Sequence, residues 1–127
     1  MTDSSFADAV NPTAAELTAW AYADEPEPMQ DFDIIVATPE FATTLVGLVN
    51  DPSCTKRQYL LGSLYCLVGH TAPGDEQLHQ AVLMAERRAD PWVSTWGRRS
   101  RHVINHREDF DRDDWCSWRG LRTTPEG

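Results

Sequence analysis

The densest apolar run in the chain lies at residues 56–69, KRQYLLGSLYCLVG. Tyr59, Leu60, Leu61, Leu64, Tyr65, Cys66, Leu67 and Val68 leave almost no polar face, and a helix apolar nearly all round is a buried one. The run is too short to span a bilayer, which takes about 20 apolar residues. Gly62 and Ser63 carry little or no side chain, so a neighbouring helix can approach closely there. Gly69 suits the left-handed residue that closes a helix. The pattern predicts a central buried helix capped by Ser53 or Thr55.

Shorter amphipathic segments surround it. Residues 1–10 read as a frayed tail. Asn11-Pro12-Thr13 opens a helix whose face is Leu17, Trp20 and Ala21. Asp24-Glu25-Pro26-Glu27-Pro28 stops that helix and predicts an extended, exposed acidic connector. In residues 31–37, Phe32, Ile34 and Val36 alternate as in a strand, but a strand without a partner is unstable; a short helix capped by Asp31 or Asp33 is expected. Thr38-Pro39-Glu40 starts a helix carrying Phe41, Leu45, Leu48 and Val49, ended by Asn50-Asp51-Pro52. Asp75 caps the next, with Leu78, Val82 and Ala85 on its face and an end near Ala89. Asp90-Pro91 opens a last helix with Trp92, Val93, Trp96, Val103 and Ile104 inward and Arg98, Arg99 and Arg101 outward. Beyond His106 the chain is too charged for a core helix, although Phe110, Trp115 and Trp118 can fold back over the end of the domain. One helical domain over 11–118, with tails at 1–10 and 119–127, follows.

Asn11-Pro12, Asp51-Pro52 and Asp90-Pro91 recur at spacings of 40 and 39 residues, each expected to open a helix, with Ala14, Cys54 and Val93 two places beyond. A helix, an Asp-Pro turn and a second helix at a period near forty fit the length of HEAT and armadillo units. The stretch LVGLVNDPSCTKRQYLLGSLYCLV, with its Asp-Pro turn and the basic Lys56-Arg57 opening the second helix, resembles a HEAT unit. The resemblance covers residues 38–106, with 11–37 as a degraded first copy. It implies an all-α fold: a short HEAT-like helical-repeat stack of five or six helices.

Composition changes this picture mainly through charge. The chain has 127 residues and a formal net charge of −9, enough length for one core. Residues 1–55 hold ten acids and no Lys or Arg, whereas residues 56–127 hold eleven bases and ten acids. The first half therefore projects a field that repels phosphate backbones and attracts a basic partner, and direct nucleic-acid binding is not expected. Three Cys without a CxxC argue against a disulfide framework. The N-terminus lacks the basic and apolar regions of a signal peptide, and no transmembrane run is present, so a cytoplasmic location is the expectation.

Candidate chemistry is sparse. His102 and His106 stand at i and i+4, a zinc-ligand spacing, but Val103 replaces the Glu of the zincin pattern. Only Glu108 and Asp109 are near in sequence, so a solvent-facing pair and no metal are expected. Cys66 and His70 share the same spacing, yet the LYCLV context predicts burial rather than a reachable thiolate. Asp109, Asp111 and Asp113 alternate as in a calcium loop but lack its Gly and Glu. Arg87, Arg88, Arg98, Arg99 and Arg101 beside Trp92 and Trp96 are expected to be a solvated face paired with Glu86 and Asp90 over core indoles, rather than a nucleic-acid surface.

No nucleophile motif, phosphate loop or cofactor signature appears, so the expected role is a non-enzymatic protein-binding module without a cofactor. A small, acidic, helical chain is similar in character to bacterial immunity and inhibitor proteins, which implies a basic protein partner such as a toxin. The expected partner-binding residues are Asp24, Glu25, Glu27, Asp31 and Asp33, with Trp115 and Trp118. Two alternatives stand beside it: a metal-dependent enzyme or regulator using His102 and His106, and an acidic DNA-mimic that occupies a nucleic-acid-binding protein.

Overall fold

The computed structural model describes residues 6, 8, 10–72 and 74–106. Among these the chain is all-α, with six helices and no strand: α1 (Ala14–Tyr22), α2 (Phe32–Ile35), α3 (Ala42–Asn50), α4 (Arg57–His70), α5 (Glu76–Glu86) and α6 (Pro91–Asn105). A 3-10 turn, Pro39–Phe41, precedes α3. None of the described helices is long and apolar enough to cross a membrane.

The central apolar run forms α4, and nine consecutive residues from Leu60 to Val68 are buried. Helices α2, α3 and α6 lie against it. Helix α3 pairs with α4 and α5 with α6; α3 also packs on α5, and α4 on α6. Two helical hairpins therefore lie side by side, with α1 across α3 and α2 on α4. The hydroxyl of Ser63 donates to the Asp33 carbonyl at 2.8 Å, so the small residue expected at a close approach faces α2.

Several local expectations needed correction. Gly69 does not close α4, which runs on through His70; no described glycine is left-handed. Neither Ser53 nor Thr55 caps α4: Lys56 is its N-cap and gives no side-chain cap bond. Of the three Asn/Asp-Pro pairs, only Asp90-Pro91 opens a helix directly, with Asp90 accepting from the backbone N–H of Trp92 at 2.9 Å and Val93 at 3.2 Å. Asp51 instead ends α3, and its side chain accepts from the Ser53 N–H at 2.9 Å in the turn beyond. At α1 the cap is Thr13, which exchanges hydrogen bonds with Glu16 in a capping box. The 31–37 segment is helical, as α2, but Asp31 precedes it without a side-chain cap bond. Helix α5 stops at Glu86 rather than near Ala89.

The two basic residues that begin α4 fasten it to its neighbours. The Lys56 ammonium donates to the carbonyls of Trp20, at 2.8 Å, and of Ala23 at the end of α1, and lies 4.5 Å from the Trp20 ring centroid. Arg57 turns the other way. Its Nε donates to the Val49 carbonyl at 2.6 Å, near the end of α3, and its fork pairs with Asp90 at the start of α6. Cations belong at helix C-termini, where carbonyls lack partners and the helix dipole is negative.

Candidate docking site at the acidic connector

The chain leaves α1 extended at Ala23 and reaches α2 through the acidic connector. The connector is not loose. The Trp20 indole N–H donates to the Pro26 carbonyl at 3.0 Å, and the Tyr59 hydroxyl donates to Glu27. Asp31 then turns the backbone into α2 with φ of 61°, the single described non-glycine residue in the left-handed region. Asp tolerates that conformation better than most residues, which incur about 1–2 kcal/mol there.

Beneath the connector lies an aromatic cluster. Trp20 meets Phe32 at 5.1 Å and Tyr59 at 5.6 Å between ring centroids, both edge to face. Phe6, inside the stretch expected to fray, is buried and meets Phe32 at 5.0 Å and Trp20 at 6.2 Å. Such pairs contribute about 0.5–1.5 kcal/mol beyond the burial of their area. The connector backbone thus rests on a packed floor rather than on solvent.

Of the five acids expected here, Asp24, Glu27 and Asp31 are exposed and Glu25 and Asp33 half-buried. Burial raises the Asp33 carboxyl above its usual range, opposed by hydrogen bonds from backbone N–H groups. Burial and the bond to Glu27 push the Tyr59 hydroxyl well up. Glu25 and Glu27 share a surface cleft of about 490 Å³ between the connector and the start of α4, with Trp20, Lys56, Gln58 and Tyr59 among its other walls. Asp24, Asp31 and Asp33 do not line it. Nearby, Tyr22 donates to Asp51 at 2.5 Å; that bond holds the Tyr22 hydroxyl up at about 12 and lowers the Asp51 carboxyl. Trp115 and Trp118 lie outside the described residues.

The remaining candidates fall out as follows. His102 and His106 stack, with ring centroids 4.4 Å apart and planes at 20°, and His106 Nδ1 lies 3.0 Å from the His102 carbonyl. Among the described residues no group of three His, Cys, Asp or Glu gathers to hold a metal; Glu108 and Asp109, like the Asp109-Asp111-Asp113 alternation, lie outside the described residues. Cys66 is buried. On α6, Arg101 forks onto Glu86 at 2.8 and 2.5 Å, and Arg99 donates to the Tyr65 hydroxyl at 3.3 Å. Asp90 is taken by Arg57 rather than by an α6 arginine. Trp96 is fully buried and Trp92 half-buried with the Arg57 guanidinium 5.1 Å from its ring, so neither is a free stacking platform.

Lys56 and Tyr59, which organise the cleft, were not legible as site residues. The one available signal is that Lys56 is the single lysine in the chain; its partners are more than thirty residues away. No protein-family model matches the chain, and no curated protein or solved structure is significantly similar to it.

Proposed function

We propose that this chain is a non-enzymatic protein-binding module that presents its acidic connector to a basic protein partner, in the manner of a cytoplasmic bacterial immunity or inhibitor protein that neutralises a toxin. The observation that carries the reading is the fastening of the connector. Trp20 holds the Pro26 carbonyl, Tyr59 holds Glu27, and Lys56 holds the end of α1. Carboxylates on a fixed backbone lose little entropy when a partner docks, which is how preorganisation raises affinity. Residues 24–33 carry Asp24, Glu25, Glu27, Asp31 and Asp33 and no Lys or Arg, and an acidic surface of this kind steers a basic partner and accelerates its encounter. The α3–α4 and α5–α6 hairpins packed on one another support the reading of a short helical stack, an architecture that binds through an extended face.

The test begins with capture of a partner from the source cell. Its association rate is then compared between wild type and a variant with Asp24, Glu25, Glu27, Asp31 and Asp33 changed to Asn or Gln. The variant should associate well below the wild-type rate at low salt, and the two should converge at high salt, where exposed charges are screened. Equal rates at every salt concentration would show that the connector is an ordinary solvated segment.

A further inference from the structure

We infer that this chain associates with itself head to tail, the outer face of α5 in one copy docking on the α1–α2 end of a second copy. Leu83 on α5 is 43 % exposed and stands between two depressions. One, of about 150 Å³, is bordered by Ile104 of α6; the other, of about 400 Å³, by Met84, Arg87 and Arg88. Arg87 follows Leu83 by four residues, so the two share one stripe of the helix. Among the described residues the ion pairs are Arg57–Asp90 and Arg101–Glu86, so the exposed Arg87 and Arg88 have none. The other exposed large apolar side chains among the described residues are Val10, Tyr22, Met29 and Ile34, all in the first 34 residues. Ile34, 49 % exposed, donates its backbone N–H to the carbonyl of Asp31 at 3.0 Å. Asp31 and Asp24 are exposed and enter no ion pair among the described residues.

Each place therefore joins exposed aliphatic surface to unmatched charge, and the signs are opposite. Residues 24–33 have no Lys or Arg, whereas residues 76–105 hold five Arg against three acids. The two places lie at opposite ends of the helical stack. Helix α1 packs on α3 and α2 on α4, while α5 and α6 pack on α3 and α4 and form no comparable pairing with α1 or α2. A two-fold dimer through either end alone would set like charges against each other, which is unfavourable. Basic end on acidic end satisfies both, and this chain itself carries both halves of the match. Such a contact is heterologous: every addition leaves one acidic and one basic end open, so growth passes the dimer. This goes beyond the partner-docking reading and requires no partner; a basic protein bound at the connector would displace the neighbouring copy.

The test is analytical ultracentrifugation of the full chain over a range of concentrations at low salt. The average mass should climb from the 14.3 kDa monomer past the dimer, and high salt should return it toward the monomer by screening the exposed charges. Arg87→Gln/Arg88→Gln and Asp24→Asn/Asp31→Asn should each weaken self-association about tenfold or more, and Leu83→Ser should weaken it as well. The four charged residues are exposed, and Asn tolerates the left-handed backbone of Asp31; an unchanged melting temperature verifies each fold. Mixed in equal amounts, the two charge variants should form a complex that stops at two chains, because each supplies the one face that the other lacks. A wild type that stays monomeric at low salt, or stops at the dimer, would overturn the inference. So would self-association that either pair of substitutions leaves unchanged, or a mixture no more associated than its separate components. None of these measurements involves a basic partner, so their failure leaves the docking reading standing. A partner indifferent to the connector acids would, conversely, leave the self-association standing.

Discussion

Replacing Gly97 by Ala should destabilise the protein, although the same exchange ordinarily strengthens a helix. Gly97 is buried on α6 where that helix crosses the end of α5. A β-carbon there would lie 3.0 Å from Glu86 Cγ, 3.1 Å from the Glu86 backbone nitrogen and 3.2 Å from Ala85 Cβ. Favourable separations between carbon atoms are about 3.5–4.0 Å, so the helices must part by several tenths of an ångström. The nearest atom cannot simply swing aside, because the Glu86 carboxylate is forked by Arg101, and the other two are fixed to the α5 backbone. Overpacking of this kind costs about 1–3 kcal/mol, against a helix-propensity gain of about 1 kcal/mol for Gly→Ala. The net expectation is a loss of up to about 2 kcal/mol. Gly47 supplies the control: it is exposed on α3, and an added β-carbon meets nothing within 4 Å. Gly47→Ala should therefore stabilise by about 0.5–1 kcal/mol. Urea unfolding measures both; the midpoints should move in opposite directions at unchanged m, the sign of a change in stability alone. If Gly97→Ala is as stable as Gly47→Ala, the α5–α6 crossing is not as close as described and the reasoning fails.

Leu64, fully buried at the centre of α4, should cost about 2–5 kcal/mol when changed to Ala; a loss below about 1 kcal/mol, the size found at surface positions, would remove α4 from the centre of the core. Asp33→Asn should stabilise the protein at neutral pH. Burial raises the native carboxyl above its unfolded value, so above that raised value the ionised native form carries a penalty which the unfolded chain does not. The advantage should shrink as pH falls through the native value and vanish below the unfolded one, near 4. Thermal melts at several pH values check it, and an Asn variant less stable than wild type at pH 7 would contradict the burial account.

The sequence alone determined the helical class and the central helix of the core. Apolar residues on nearly every side of residues 59–68 demanded a buried helix, because no other arrangement removes all of them from water. Asp90-Pro91, Asp75 and Thr13 marked real helix starts through chemistry that acts within three residues. The partition of charge was equally visible: it is a count, independent of folding. Tertiary structure decided what lies between residues far apart in the chain. Lys56 reads as a residue at a helix start until α1 brings the carbonyls of Trp20 and Ala23 to it. The connector reads as extended and exposed because two prolines and three acids forbid helix; that it is fastened depends on Trp20 and on Tyr59, more than thirty residues beyond Glu27. Phe6 reads as part of a frayed end until Trp20 and Phe32 offer it a buried slot. Gly97 reads as a weakness in α6, and only the crossing with α5 gives it a reason. Local rules see neighbours in sequence, whereas a cleft, a crossing or a buried ring is made by neighbours in space.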